Sequence, residues 1–276
     1  MRIDAHQHFW SLEEFRYSWM PEGESLLRRD YLPEDLAPIL AEHRFDGSVA
    51  VQATTDSGEA DWLLSLADAY SFVKGVVAWV DLASPELPRT LDRLQRHPRF
   101  VGVRHPVHDE RDERWILRED VLAGLGELAR RGVPYDLLLR PVHLRLVPEI
   151  AERVPGLRMV IDHLAKPRIA KGELEGWAGD LARAAEVTEV YCKLSGMVTE
   201  ADLRTWKAQD LAPYVAHALA VFGPERCMFG SDWPVCRLAG SWKQVLAAFT
   251  QACGPLPQET RDWLLGETAI WFYGLE

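Results

Sequence analysis

Short apolar runs alternate with amphipathic stretches from one end of the chain to the other. The apolar runs fall at 2–5, 48–51, 75–80, 100–103, 133–138, 158–161, 190–194 and 227–229, and they are rich in Val, Ile and Leu. Such continuous composition fits strands covered on both faces; a half-exposed strand would alternate instead. Between them, apolar residues step at helical spacing. Leu117, Val121, Leu122, Leu125, Leu128 and Ala129 form one stripe, closed by Arg130, Arg131 and Gly132 as a helix end. Ser84 and Pro85 read as an N-cap and first helical position opening a helix over 86–95. Similar patterns predict helices over 33–43, 59–69, 144–153, 174–187, 211–221, 242–252 and 258–271.

Eight strand–helix repeats without a linker or low-complexity segment predict one domain over residues 1–276, an α/β chain folded as a (β/α)₈ TIM barrel. A doubly wound open sheet is the rival, but no G-x-G-x-x-G turn follows any strand.

In such a barrel, functional groups come from the C-terminal strand ends. Those ends carry His6 and His8, Gln52, Trp79 and Asp81, Arg104 and His105, Arg140 and His143, Asp162 and His163, Lys193 and Ser195, then Ser231, Asp232 and Trp233. His6 and His8 are two apart, so an extended strand points both to one side. Barrel closure sets the eighth strand beside the first and brings Asp232 toward both imidazoles. Two His and one carboxylate suit a divalent ion such as zinc, with a position left open for water. Asp232 could also take a proton from water as general base. His163 could polarise a carbonyl, shuttle a proton, ligate a metal or serve structure. Lys193 sits in the apolar run VYCKLSG, where an unpartnered ammonium is costly, so it is read as facing the site. Arg140 and His143 are placed between site rim and surface, and His108 in a loop. His43, His97 and His217 receive no function.

Net charge is −11, which disfavours nucleic acid as a partner. No apolar run approaches the length of a membrane span, and the N-terminus lacks a signal-peptide pattern, so a cytoplasmic location is expected. The four cysteines form no C-x-x-C pair and are read as reduced, with Cys192 and Cys227 as core filler. Tryptophan is abundant, at eleven residues. Trp10, Trp19, Trp79 and Trp233 could pack on the C–H face of a sugar, with Gln52, Arg104 and His105 bonding its hydroxyls.

The stretches IDAHQHFW, YDLLLRPVHL, VIDHLAKP, VYCKLSGM and FGSDWPV, in this order, resemble the amidohydrolase superfamily. More narrowly they resemble its lactonase-type group of sugar-acid lactonases and 2-pyrone-4,6-dicarboxylate lactonase. The resemblance implies a distorted barrel, hydrolysis of a cyclic ester, and a central site of His6, His8, His163 and Asp232, with Asp232 activating water. The metal-rich members carry a bridging lysine or glutamate after the fourth strand, where this chain has Arg104 and His105. A binuclear site is therefore not expected. The resemblance implies at most one divalent ion, zinc first, in a group that sometimes holds metal weakly or dispenses with it.

The resulting expectation is a lactonase, a hydrolase acting on a small sugar-acid lactone such as an aldonolactone. Asp232, His163 and Lys193 are its catalytic residues, and His6, His8 and Asp232 its metal ligands. Gln52, Trp79, Arg104, His105, Trp10 and Trp233 are its substrate contacts. The alternatives are a pyrone-dicarboxylate lactonase, a metal-dependent decarboxylase and a non-catalytic sugar-binding barrel. The oligomeric state is left open between monomer and homo-oligomer.

Overall fold

A computed structural model describes residues 1–20, 23 and 25–276. Eight parallel strands form one sheet in sequential order: β1 (Ile3–Gln7), β2 (Gly47–Val51), β3 (Val73–Ala78), β4 (Phe100–His105), β5 (Tyr135–Leu137), β6 (Met159–Ile161), β7 (Val190–Leu194) and β8 (Cys227–Phe229). The helices are α1 (Pro33–Glu42), α2 (Glu59–Ala69), α3 (Leu87–Leu94), α4 (Glu119–Arg131), α5 (Val147–Arg153), α6 (Trp177–Ala185), α7 (Met197–Glu200), α8 (Ala208–Phe222), α9 (Trp242–Cys253), α10 (Gln258–Asp262) and α11 (Thr268–Tyr273). This is the (β/α)₈ barrel that the periodicity predicts. Residues of β1, β2, β5, β6, β7 and β8 are buried throughout, which accounts for their unalternated composition.

Helix starts depart from the expectation where hydroxyls and prolines compete. The Ser84 hydroxyl accepts the Glu86 amide in a turn, so α3 begins at Leu87, with Pro88 in its first turn. A 3₁₀ segment, Pro141–Leu146, occupies the start of the predicted 144–153 helix, and α5 begins at Val147 with Pro148 in its first turn. The C-terminal helix is also divided, by a π-turn at Trp263–Glu267. There a Cβ on Gly266 would lie 1.9 Å from the Met1 carbonyl oxygen, so glycine is what lets the two chain ends pack together.

Two apolar layers result. One lies between strands and helices, and the second fills the barrel below its mouth with Ile3, Ala5, Val49, Val51, Val77, Val160 and Met228. Ala269, Phe272 and Tyr273 of α11 belong to that second layer and stop the barrel from below. No helix among the described residues is long and apolar enough to cross a membrane.

Candidate active site

At the strands' C-terminal ends a cavity of about 320 Å³ opens to solvent, lined by His8, Trp19, Gln52, Arg104, His108, Arg140, His163, Lys166 and Asp232 among others. Its floor is the seam where the barrel closes. Beyond β8, the Asp232 amide donates to the His6 carbonyl at 2.8 Å and the His8 amide to the Trp233 carbonyl at 2.7 Å. Buried Asp4 staples the same seam: its Oδ1 accepts the Ser231 amide at 2.8 Å, and its Oδ2 accepts the Trp242 indole at 2.8 Å. A Cβ on Gly230 would stand 2.5 Å from the His6 Cβ, so only glycine permits this approach.

Closure brings the predicted trio together. The His6 and His8 Nε2 atoms are 3.2 Å apart, and Asp232 Oδ1 lies 3.9 and 3.5 Å from them. The His8 Nδ1–H donates to the Val51 carbonyl at 2.7 Å, which leaves its Nε2 lone pair facing the trio. Two imidazoles on a tetrahedral zinc at ~2.0–2.1 Å would hold their nitrogens about 3.3 Å apart, close to the spacing here. These donors fit one divalent ion. Burial would lift the Asp232 carboxyl, but His163, the His8 hydrogen bond and Lys166 outweigh it and hold the group below 3.8. Asp232 is therefore ionised at neutral pH.

His163 reaches the cavity by an uncommon backbone. His163, Leu164, Ala165 and Lys166 all have positive φ (54°, 52°, 58°, 55°), and so does Asp232 (56°). Each costs about 1–2 kcal/mol for an L-residue, so surrounding contacts must impose the turn. The Trp177 indole donates to the Leu164 carbonyl at 2.7 Å, and Gly196 leaves the space in which a Cβ would come 2.5 Å from His163 Nδ1. The turn carries His163 Nδ1 to 2.8 Å from Ser195 Oγ and its Nε2 to 4.0 Å from Asp232 Oδ1. Burial pushes the His163 pKa well below 6.5, so its ring is neutral.

Beneath this lies a buried ionic cluster. Arg104 donates through Nη1 to Asp162 Oδ2 at 3.0 Å and through Nη2 to both oxygens of Gln52 at 2.6 Å. Lys193, fully buried, lies 2.5 Å from Asp136 Oδ2, 3.0 Å from Asp162 Oδ1 and 3.1 Å from His6 Nδ1. The Tyr273 hydroxyl donates to Asp136 at 2.8 Å. Burial opposes ionisation of Asp162, yet Lys193, His6 and Arg104 prevail and hold it well below 3.8. Lys193 thus faces the site as expected but does not line the cavity.

Four predicted substrate contacts are engaged elsewhere. Trp10 is buried, its indole donating to the Arg29 carbonyl at 2.8 Å, and Trp233 packs edge-on against Phe9 and Tyr31. Trp79 lines a neighbouring hollow with Asp81 and Thr90 and donates to His105 Nδ1 at 3.0 Å. His105 stacks on Trp115 and bonds Glu110 at 2.8 Å. Of the four tryptophans singled out, Trp19 alone is among the residues that line the cavity; its indole donates to the Ala53 carbonyl at 2.6 Å. The mouth is built by His108, Arg140 and Lys166, of which sequence reasoning gave a site role to none and left Arg140 undecided. Asp4 and Asp136 also escaped it. The signal was present in both: a carboxylate inside an apolar strand, as for Lys193.

The model of the amidohydrolase family matches residues 3–275. The chain is 37% identical to an L-fucono-1,5-lactonase of Burkholderia ambifaria, over all of this chain and 96% of that one. A crystallised amidohydrolase of Burkholderia multivorans with bound zinc superposes with a TM-score of 0.93 at 37% identity, covering both chains fully. A probable 2-pyrone-4,6-dicarboxylic acid hydrolase of Acinetobacter baumannii shares the fold at a TM-score of 0.80 and 18% identity, over 99% of each chain. This chain belongs to the amidohydrolase family.

Proposed function

We propose that this protein is a single-domain cytoplasmic enzyme that hydrolyses a small sugar-acid lactone to the free acid. The observation that carries this reading is one ionised carboxylate, Asp232, and one neutral imidazole, His163, 4.0 Å apart at the floor of a single cavity. The likeness to an L-fucono-1,5-lactonase over the full chain supports an aldonolactone as the substrate class.

Asp232 accepts the proton of a water as that water attacks the lactone carbonyl. Taking the Ser195 hydroxyl as donor to its Nδ1, 2.8 Å away, we assign the His163 proton to Nε2, the nitrogen 4.0 Å from Asp232 Oδ1. From there His163 donates a hydrogen bond to the developing oxyanion. The proton that Asp232 took from water passes to the ring oxygen as the ester opens, which restores the carboxylate. Lys193 has no exposed surface and does not contact the substrate; it acts through His6. A divalent ion held by His6, His8 and Asp232 would supply Lewis-acid polarisation and a more acidic water. Trp19 offers the C–H face of the sugar a flat apolar partner.

Arg104, Arg140 and Lys166 all line the cavity, and this favours a second reading in which the lactone bears a carboxylate. A panel of aldonolactones beside a pyrone dicarboxylate, with acid release followed by a pH indicator, separates the two. Turnover of aldonolactones alone is the expected result. Turnover of the diacid alone supports the second reading, and none on either rejects both.

A further inference from the structure

The fully buried ammonium of Lys193 has three N–H groups and three acceptors around it: Asp136 Oδ2 at 2.5 Å, Asp162 Oδ1 at 3.0 Å and His6 Nδ1 at 3.1 Å. If all three are used, His6 Nδ1 accepts and the ring proton sits on Nε2. That proton then has a partner, because the His8 Nε2 is 3.2 Å away with its lone pair free. Lys193, His6, His8 and the Val51 carbonyl thus form one donor-to-acceptor chain, whose cost is that Arg104 Nη1, 3.3 Å from His6 Nε2, meets an N–H there.

The opposite tautomer uses a different set of contacts. His6 Nδ1–H would turn to Asp162 Oδ1 at 3.3 Å, an oxygen that is ion-paired with Lys193 but otherwise has no hydrogen-bond partner. Arg104 Nη1 would donate to His6 Nε2 at 3.3 Å. Both contacts are longer than those of the first scheme. This scheme sets an imidazole N–H against the Lys193 ammonium at 3.1 Å and leaves His8 Nε2 without a donor. Yet it is the tautomer that a metal needs, since a ligating His6 Nε2 must be bare and its proton must lie on Nδ1.

We infer that Lys193 is a positioning residue that keeps the His6 proton on Nε2, so that a divalent ion binds only by driving His6 into the tautomer bonded to Asp162. The protein keeps the same number of protons on His6 in both states; what changes is the nitrogen that bears it. Lys193 thereby weakens the metal site without touching the ion, while Asp162 strengthens it. The inference holds whatever the substrate is, since it concerns the ring of His6 and the ion alone.

The test uses metal-stripped protein and Zn²⁺, with affinity read by competition against a chromophoric chelator. Lys193→Met should bind Zn²⁺ about tenfold more tightly than wild type, and Asp162→Asn about tenfold less tightly, the range of effects seen when partners of metal-bound imidazoles are changed. Lys193→Met leaves both acids a donor, Tyr273 for Asp136 and Arg104 for Asp162. Equal or weaker Zn²⁺ binding by folded Lys193→Met overturns the inference. A second measurement needs no variant of Lys193: ring ¹⁵N shifts of His6, assigned by their loss in His6→Gln. They should report Nε2–H in the metal-free protein and Nδ1–H after Zn²⁺ is added. Nδ1–H in the metal-free wild type overturns the inference independently of how any variant folds.

Discussion

The two ends of the barrel interior are built from the same strands by opposite chemistry. Below, Ile3, Ala5, Val49, Val51 and Met228 meet Phe272 of α11 in a fully apolar layer. Above, toward the C-terminal ends of the strands, β1 supplies His6 and β7 supplies Lys193, joined by Asp136, Asp162 and Arg104 with almost no exposure. The lower end needs only shape and volume, so it stabilises through burial. The upper end needs every donor matched to an acceptor, because an unpaired buried charge is expensive. Rigidity from the first makes the second affordable, and the two should respond to mutation in opposite ways.

The largest expected effect tests the upper end. Asp232→Asn should cut lactone hydrolysis by about 10³-fold or more while the protein stays folded, measured by acid release and circular dichroism. His163→Gln should follow with a loss of about 10²-fold, again with a native melting curve. Phe272→Ala at the lower end should reverse the pattern, costing about 3–5 kcal/mol in denaturant unfolding and leaving kcat/KM of the folded fraction nearly unchanged. A Phe272→Ala variant that is stable but inactive would show that the two ends are not separable. Trp19→Ala should raise KM by about tenfold, consistent with loss of an aromatic contact worth roughly 1 kcal/mol or more, with little change in kcat.

The smallest effect is on pH dependence. Asp232 acts when ionised, and its environment holds its pKa below 3.8. The active form therefore persists as pH falls and is lost only as the group gains a proton below that value. A profile of kcat/KM should stay flat from neutral pH to about pH 4 and decline beneath it. An acid limb centred near pH 6 would assign the essential base to another group.

Much of this was legible in the chain. The eight strands lie within about three residues of where the apolar runs place them, since burial on both faces leaves an unalternated signature. Helix starts were read less well. Ser84 could cap a helix or a turn, and only the backbone around Pro88 decided for the turn. The tryptophans show the same limit. Trp10, Trp19, Trp79 and Trp233 look alike in sequence, yet the seam buries two, a neighbouring hollow takes one and the cavity receives Trp19.

By itself the sequence determined the barrel, the common direction of His6 and His8, and the polar character of the strand ends. Those follow from local geometry, because residue period and strand direction are properties of a few adjacent peptide units. The tertiary structure decided what each polar group touches. Lys193 finds His6 across 187 positions and Ser231 finds Asp4 across 227. The left-handed turn at His163 is likewise imposed from outside, by Trp177 and the space above Gly196. Such pairings depend on where the barrel closes and how its loops return, and no short stretch of chain carries that information.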